Sequence, residues 1–416
     1  MMNRYKKPMK RIFSLLLAAL LLTSFLSCAA PKEGSDPAPT GAGSSETEAN
    51  NKTFIVQDRQ CTFADMIVSP MFESEDSVYY CAGARTRKIY FSDKENKDWM
   101  PLCFKPNCLH RGSDCNAQLE GENSYRIWPY GEYIYYVAYD RYSSGSSPKL
   151  WRMKLDGSDH EFVLVFNYTK EVDVYDEYTW DFVFHNKYLY AWLCASNPDL
   201  RKTERGFETL IFLVDLSCDK PKAELTDLVY ETGLPVCGRG DTVYCFNTLN
   251  NNSITKVDLV KGTQEKLCEL PYYPDVGLVL KGDRLYVTYN QYDHQFDYID
   301  ANTGETTHIM PLEVKVKYKL TDDYLIGTDK KPKGTVASST DDKKGTLIYD
   351  YEGNLVQQIP YEKYNRNIMA EFSSGDYVFG YDTDMKDNSA LPPEWYLDLR
   401  EIGSPDMTWH KWAPED

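Results

Sequence analysis

One short phrase returns seven times along the sequence, and this repeat restricts the chain to a small number of folds. Each copy is a polar turn followed by alternating aromatic and aliphatic residues, as in Gly131–Tyr135 and Gly282–Tyr286. The copies are residues 76–80, 131–135, 186–190, 240–244, 282–286, 322–326 and 375–379, spaced 40 to 55 residues apart. This period is close to that of propeller blades and well above that of leucine-rich repeats.

A second apolar segment follows six of the seven copies and ends in Asp. These segments are residues 150–156, 210–215, 254–258, 296–300, 346–350 and 395–398. Turn residues such as Asp156-Gly157 and Thr303-Gly304 come next, and they accept the backbone angles of tight hairpins. A third apolar segment follows in several copies, for example residues 162–165 and 267–270. Each repeat therefore predicts an antiparallel meander of about four strands.

The repeat predicts an all-β protein, a β-propeller with seven blades of four antiparallel strands. One such sheet cannot bury both of its faces, whereas radial stacking covers the faces and leaves only short edges. Six or eight blades are alternatives, since Phe54–Val56 offers a further strand that would close the ring with the last blade. Two sandwich domains are the competing all-β architecture.

The beginning of the chain has the pattern of a secretory signal peptide over residues 1–27. An apolar run from Ile12 to Leu26 is short of the roughly 20 residues that a membrane-spanning helix needs. It follows a cluster of five cations without an acid: Arg4, Lys6, Lys7, Lys10 and Arg11. Residues 29–50 then contain no large apolar side chain, which predicts a flexible tether.

Phe25-Leu26-Ser27-Cys28 resembles the lipobox of bacterial lipoproteins. Together with the blade phrase, it makes the chain similar to a largely uncharacterised group of lipid-anchored, extracytoplasmic propeller lipoproteins of Gram-positive bacteria. The resemblance implies diacylglycerol on Cys28, cleavage before it, and attachment to the outer side of the cell membrane. Residues 28–52 are then lipidated cysteine and tether, and residues 53–416 a single propeller domain. Ordinary secretion, with Cys28 incidental, is the alternative.

The charge of the chain restricts its partners. The net charge is −17, and loss of the five cations with the signal peptide brings it to −22. Such a surface repels nucleic acid, so the expected partners are the membrane, through the anchor, and an unknown protein or glycan. We expect a monomer.

A cysteine-rich insertion near residues 101–117 is the most distinctive local feature. It places Cys103, Cys108, His110 and Cys115 within thirteen residues. Thiols and an imidazole are ligands that zinc prefers, although this spacing is not one of the standard zinc frameworks. An oxidising compartment favours instead a disulfide, such as Cys108 to Cys115. Disulfide, metal site and free thiols all remain open at this point; most of the other cysteines are expected to be buried small hydrophobes.

No cofactor is expected; a structural zinc or calcium ion is the minor alternative. Residues 382–388 offer oxygen ligands, but they lack the glycine and the terminal glutamate of the calcium loop, so a solvated loop is favoured. A nucleophile elbow, a metalloprotease helix motif, a phosphate loop and a dinucleotide fingerprint are all missing from the sequence. No catalytic residues are therefore predicted.

These observations favour a surface-tethered, non-catalytic binding propeller for a protein, peptide or glycan at the cell envelope. One alternative is a hydrolase or lyase that acts on polysaccharide with an axial pair of carboxylates, and another is an envelope assembly scaffold. Aromatic rings suit binding surfaces because they supply contact area at low entropic cost. For each single ring, packing in the core or between blades is the favoured alternative to exposure. The candidate exposed rings are Trp128, Tyr130, Tyr142, Trp180, Tyr272, Tyr273, Tyr292 and Trp395.

Overall fold

Seven four-stranded antiparallel sheets make up the protein, each formed by four strands that are consecutive in the chain. The computed structural model describes residues 71–82, 87–120, 124–138, 147–167, 178–196, 207–228, 234–247, 252–271, 278–289, 294–329, 345–383 and 392–412. The sheets form a ring, so the predicted seven-bladed β-propeller is confirmed. Cys28, the predicted signal peptide, the tether and Phe54–Val56 lie outside the described residues and stay predictions.

The strand bounds follow the repeat. Blade 1 has β1 Met71–Glu73, β2 Ser77–Ala82, β3 Lys88–Asp93 and β4 Met100–Pro101; blade 2 has β5 Ser124–Tyr130, β6 Tyr133–Ala138, β7 Lys149–Lys154 and β8 Glu161–Val165; blade 3 has β9 Tyr178–His185, β10 Tyr188–Ser196, β11 Phe207–Asp215 and β12 Glu224–Leu225; blade 4 has β13 Leu234–Arg239, β14 Thr242–Asn247, β15 Ser253–Asp258 and β16 Thr263–Glu269.

The last three blades continue the pattern. Blade 5 has β17 Leu278–Lys281, β18 Arg284–Tyr289, β19 Gln295–Asp300 and β20 Thr306–Pro311; blade 6 has β21 Val316–Leu320, β22 Leu325–Asp329, β23 Thr346–Tyr349 and β24 Leu355–Ile359; blade 7 has β25 Ile368–Ser374, β26 Tyr377–Asp382, β27 Trp395–Asp398 and β28 His410–Lys411. A one-turn helix, α1 Tyr361–Tyr364, precedes β25, and a 3₁₀ turn, Leu399–Glu401, follows β27. Among the described residues, no helix has the length and apolar character of a membrane span.

The sequence phrase corresponds to the first hairpin turn and the second strand of every blade. Second strands such as β2 are buried along their whole length, because each face of the sheet packs on a neighbouring blade. Fourth strands such as β20 are largely exposed and form the outer rim. First strands of neighbouring blades contact each other, for example β1 with β5 and with β25, so they surround the axis.

The hydrophobic core consists of seven clusters, and each cluster fills the space between two neighbouring blades. One cluster joins blades 1 and 2 through residues such as Ile89 and Tyr136, and the series continues around the ring. The seventh joins blade 7 to blade 1 through Tyr80, Phe379 and Trp412. Among the described residues, ring closure therefore depends on packing between two complete blades.

A recurring aspartate lies at the end of the third strand. In five blades it is the last residue of that strand, and in blades 2 and 6 it lies in the turn that follows the strand. In all seven blades its carboxylate accepts hydrogen bonds from backbone N–H groups two to four residues later, which closes the turn. These aspartates are Asp93, Asp156, Asp215, Asp258, Asp300, Asp350 and Asp398. The repeated Asp that ends each segment of the sequence phrase is thus explained by turn formation.

Side chains near the ends of inner strands connect successive blades. The indole Nε1 of Trp128 donates to the Asn186 carbonyl at 2.8 Å, and Arg239 donates to the Gly282 carbonyl at 2.8 Å. His185 Nε2 donates to the Gly240 carbonyl at 2.8 Å in the same relative position. Each acceptor lies in the first hairpin turn of the next blade, so the same contact recurs from junction to junction.

Candidate metal centre and aromatic cleft

The cysteine-rich insertion lies between blades 1 and 2 and interrupts the outer strand of blade 1. Strand β4 pairs with one half of β3, at Tyr90 and Phe91. The chain then leaves the sheet and returns to pair Gln118 with Lys88, at the other half of the same strand. Residues 102–116 thus form a loop between two pieces of one strand position, which we call the insertion loop.

Four donor side chains of this loop converge. One ligand atom from each of Cys103, Cys108, His110 and Cys115 lies within 4.8 Å of all the others. The imidazole Nδ1 of His110 is 3.6 Å from the sulfur of Cys115. Cys103 and Cys115 are buried, whereas Cys108 and His110 are half-buried. All three cysteines are free thiols, and the structure brings together every residue that the sequence offered for this site.

Each of the three sulfurs accepts a hydrogen bond from the backbone N–H two residues later in the chain. Cys108 accepts from the N–H of His110 at 3.4 Å. Cys103 accepts from Lys105, and Cys115 accepts from Ala117. Hydrogen bonds to sulfur favour the thiolate, which is the form that binds a metal.

The two buried thiols have opposite pKa shifts. Burial raises the pKa of Cys103, but hydrogen bonds from the N–H groups of Lys105 and Asn116 and from the two neighbouring thiols outweigh it and lower the pKa to about 6. Burial raises the pKa of Cys115 to about 11, and the neighbouring Cys103 adds to this shift. Hydrogen bonds to sulfur thus favour the thiolate form at Cys103, whereas burial favours the protonated form at Cys115.

A hydrogen-bonded chain connects the cluster to blade 2. The Asn116 N–H donates to the Cys103 sulfur, and the Asn116 carbonyl accepts from His160 Nε2 at 2.9 Å. His160 Nδ1 then accepts from the hydroxyl of Tyr136 at 3.0 Å. Since the carbonyl oxygen can only accept, His160 carries its proton on Nε2. Nothing in the sequence marks His160 as part of this hydrogen-bonded chain, because its partners are distant in the chain.

The insertion loop also packs tightly on the hairpin turn of blade 2. Gly157, which has a φ of +80°, lies so close that a Cβ atom there would be 2.3 Å from the Leu102 carbonyl oxygen. Only glycine combines this backbone conformation with this approach. The backbone next to Cys103 is thus held directly by the neighbouring blade.

A second candidate site is an aromatic cleft of about 380 Å³ between blades 2 and 3. We call it the aromatic cleft; its lining is Phe162, Leu164, Val165, Phe166, Asn167, Trp180, Phe212, Pro221, Lys222 and Ala223. Trp180 lies at its centre, with ring centroids 5.7 Å from Phe166 and 5.7 Å from Phe212. Phe162 lies on the rim strand β8 and is 47% exposed. Among the described residues that line it, the polar side chains are Asn167 and Lys222, so the cleft offers mainly apolar contact area.

Two of the candidate exposed rings are part of the core. Trp128 and Trp180 are buried in the cluster between blades 2 and 3, so the favoured alternative of packing between blades is confirmed for them and they are not exposed rings. The physical reason is that large rings fill the wide space between radially diverging sheets. Tyr130 and Trp395 are half-buried, and Tyr142, Tyr272, Tyr273 and Tyr292 lie outside the described residues.

Other predictions have mixed outcomes. Cys81, Cys237 and Cys245 are buried as expected, whereas Cys218 is exposed. Most of the proposed calcium loop lies outside the described residues; Asp382 at its start is buried. The histidines do not gather into one site: His308 pairs with Asp297 at 2.8 Å on blade 5, and His410 with Glu401 at 3.2 Å on blade 7.

In comparisons with known proteins, similar chains are found among solved structures. No family model matches the chain, and no curated protein matches it. Among solved structures, the chain is similar to an acylaminoacyl peptidase from Pyrococcus horikoshii, with 12% identity and a TM-score of 0.46, over 84% of this chain and 52% of that one. It is also similar to an oligogalacturonate lyase in complex with manganese, with 11% identity and a TM-score of 0.41, over 84% of this chain and 86% of that one.

A chain of the mitotic checkpoint complex is a further match, with 10% identity and a TM-score of 0.42, over 86% of this chain and 97% of that one. The present chain spans about half the length of the peptidase. Identities this low carry no information about activity.

Proposed function

We propose that the protein is a lipid-anchored, extracytoplasmic propeller that binds a protein or peptide ligand without catalysis. Anchoring rests on the signal peptide and lipobox patterns that end at Cys28. The binding function rests on one observation, which is the aromatic cleft that opens between blades 2 and 3.

The composition of the cleft favours a peptide over a glycan. A sugar needs several hydrogen-bonding groups beside an aromatic face, and only Asn167 and Lys222 supply polar side chains here. Clefts of a few hundred cubic ångströms with apolar walls suit a large aliphatic or aromatic side chain. The exposed Lys222 adds a cation at the cleft, which suits a ligand with a nearby carboxylate.

The cleft lies beside β8, which is the outermost strand of blade 2. An outermost strand can add an extended peptide through its backbone, while pockets beside it receive alternate side chains. Phe162 belongs to this strand and also lines the cleft, so a peptide along β8 would place a side chain directly into it.

The binding proposal is tested by peptide display against the purified full chain, followed by titration of the selected peptides. Phe162→Ser removes an exposed ring from the cleft and should weaken binding at least about tenfold, as expected for loss of an aromatic anchor. The matched control is Leu355→Ser on the outer strand of blade 6, since Leu355 is 50% exposed. Cleavage of polysaccharide by the purified chain, without peptide binding, would overturn the proposal in favour of an enzyme.

The anchor is tested separately in cells. Cys28→Ala should abolish labelling of the chain by a fatty-acid probe and release it from the membrane fraction. Membrane association that survives this substitution would contradict lipid anchoring at Cys28.

A further inference from the structure

We infer that Cys103, Cys108, His110 and Cys115 bind one structural zinc ion that closes the insertion loop of blade 1 on itself, beside blade 2. This goes beyond the proposed ligand binding, because the cluster is at a different junction from the aromatic cleft. Four protein ligands fill a tetrahedral zinc coordination sphere, which is the mark of a structural rather than a catalytic site.

The distances agree with tetrahedral zinc. Zinc–sulfur bonds of about 2.3 Å and zinc–nitrogen bonds of about 2.0 Å at a tetrahedral angle place the two ligand atoms about 3.5 Å apart. The distance from His110 Nδ1 to Cys115 Sγ is 3.6 Å, and all other ligand-atom pairs are within 4.8 Å. The cluster therefore needs only a small contraction around the ion.

The backbone of the insertion loop is arranged to aim the donors inward. Asn107 and His110 have φ values of +58° and +52°, which non-glycine residues adopt at a cost of about 1–2 kcal/mol each. Gly112 follows with a φ of +93°. A loop keeps such angles only where other interactions compensate for them, and metal coordination by His110 is such an interaction.

Cations near the loop suit the charge of the complex. Three thiolates and one neutral imidazole around a divalent zinc ion leave a net charge of −1. The ammonium group of Lys88 donates to the carbonyl of His110, and that of Lys105 donates to the carbonyl of Asp114 at 2.6 Å. In a chain with a net charge of −17, Lys105 on the loop and Lys88 on the adjacent strand β3 reduce the local negative charge where the complex would add to it.

A disulfide accounts for the arrangement less well. One bond would use two of the three sulfurs and would leave the third thiol and the imidazole without a role. It would also give no reason for three separate N–H to sulfur hydrogen bonds, which are found around metal-bound thiolates because they stabilise the charge on sulfur. Calcium is excluded by the donor set, because it prefers oxygen ligands.

The metal has a clear structural task. The insertion loop leaves the strand position beside β3 after Pro101 and returns to it at Gln118, so its ends must be held close without strand pairing between them. Linking Cys103 to Cys115 through zinc closes this segment and removes loop entropy from the unfolded chain. The ion thereby fixes both pieces of the outer strand of blade 1.

The test uses the full chain purified under reducing, zinc-supplemented conditions. We expect one equivalent of zinc by elemental analysis, and after exchange with Co²⁺ we expect the charge-transfer and intense d–d absorption of tetrahedral cobalt–thiolate. Cys108→Ser should lose the bound zinc, whereas Cys218→Ser, which changes an exposed cysteine on blade 3, should keep it.

The wild-type chain answers the question even where a variant does not fold. Iron in place of zinc, a cobalt spectrum without thiolate bands, or no bound metal would each overturn the inference. A stoichiometric disulfide among the three cysteines, detected by mass spectrometry without reduction, would overturn it as well.

Discussion

Blade 1 is held by different means on its two sides. Towards blade 2, the junction contains the donor cluster of the insertion loop and the hydrogen bonds that lead to His160. Towards blade 7, it contains aromatic rings packed around Trp412, most of them edge-to-face, and Trp412 is completely buried. The first junction combines apolar packing with a donor cluster inside one short loop, whereas the second depends on packing between residues about 300 positions apart.

The closing junction is unusually rich in rings. Trp412 lies 4.8 Å from Phe379, 5.0 Å from Tyr396 and 5.8 Å from Trp99, measured between ring centroids. Its indole Nε1 donates to the hydroxyl of Ser92 on blade 1 at 2.7 Å. The last strand is only two residues long, so backbone pairing alone holds the end of the chain weakly.

The two junctions of blade 1 show that equivalent positions in a repeat protein need not be stabilised in the same way. Removal of metal or oxidation of thiols should weaken the junction between blades 1 and 2 and leave the closing junction intact. Loss of ring packing or of rim charges should have the opposite effect. Four substitutions and one exchange measurement separate the two junctions.

The largest effect is expected from Trp412→Ala. Truncation of a fully buried tryptophan costs about 3–5 kcal/mol through lost burial and the cavity left behind. Urea unfolding followed by circular dichroism should therefore show a large decrease in the midpoint. Leu355→Ala, at a 50% exposed position of blade 6, is the control and should change stability by less than about 0.5 kcal/mol. Equal effects of the two substitutions would contradict packing as the basis of ring closure.

Gly157→Ala should be next in size and acts on the other junction. The new Cβ would combine a φ of +80° with a 2.3 Å contact to the Leu102 carbonyl, so we expect a loss of about 2–3 kcal/mol. Gly282→Ala is the matched control, because its φ is +62° and nothing lies within 4 Å of the added atom. It should cost only about 1 kcal/mol. Similar urea midpoints for both variants would show that the approach of the two blades is not tight.

His160→Phe tests the hydrogen-bonded chain behind the donor cluster. Phenylalanine keeps the ring contact with Tyr136 and removes the hydrogen bond to the Asn116 carbonyl, so zinc affinity should fall about tenfold. Competition with a fluorescent zinc chelator measures this change. His410→Phe, on blade 7, is the control and should leave the zinc affinity unchanged; a loss of affinity in both variants would argue against a specific role of His160.

Asp398→Asn should have the smallest effect, at the rim of the closing junction. Burial would raise the pKa of Asp398, but hydrogen bonds from the side chain and N–H of Arg400 outweigh it and lower the pKa below 3.8. A carboxyl group whose pKa is lower in the folded state stabilises the fold above its unfolded pKa, near 4, and this contribution is lost as the pH falls through the folded value.

At pH 7 the substitution should cost roughly 1 kcal/mol, since Arg400 is more than half exposed and its charge is screened. The variant should also lose less stability than the wild type between pH 5 and pH 3, by urea midpoints at several pH values. Parallel curves for the two proteins would contradict the assigned interaction.

Most of the fold could be predicted from the sequence, because second strands alternate aromatic and aliphatic residues and third strands are followed by or end in Asp. First strands were harder to identify: β13 and β17 are short and buried, so they lack the alternation that marks a strand with one exposed face. The third strand of blade 1, β3, was not among the recognised segments. Ring closure by Trp412 could not be foreseen, since its partners lie in other parts of the chain.

The residues of the candidate metal centre could be predicted from the sequence, but the choice between a metal site and a disulfide could not. Cys103, Cys108, His110 and Cys115 are close in sequence, so any compact loop brings them near one another. The choice between disulfide and metal depended on the turn of the backbone at His110 and on the N–H groups that point at sulfur. The aromatic cleft could not be predicted from the sequence, because Phe162 and Phe212 belong to different blades.

Hydrogen exchange of the full chain, measured by mass spectrometry before and after zinc chelation, tests the difference between the two junctions most directly. After chelation, we expect faster exchange in residues 102–119 and in the paired half of β3. We expect unchanged protection in β26 and in residues 410–412 of the closing junction. Unchanged exchange in residues 102–119, or an equal increase at both junctions, would contradict this difference.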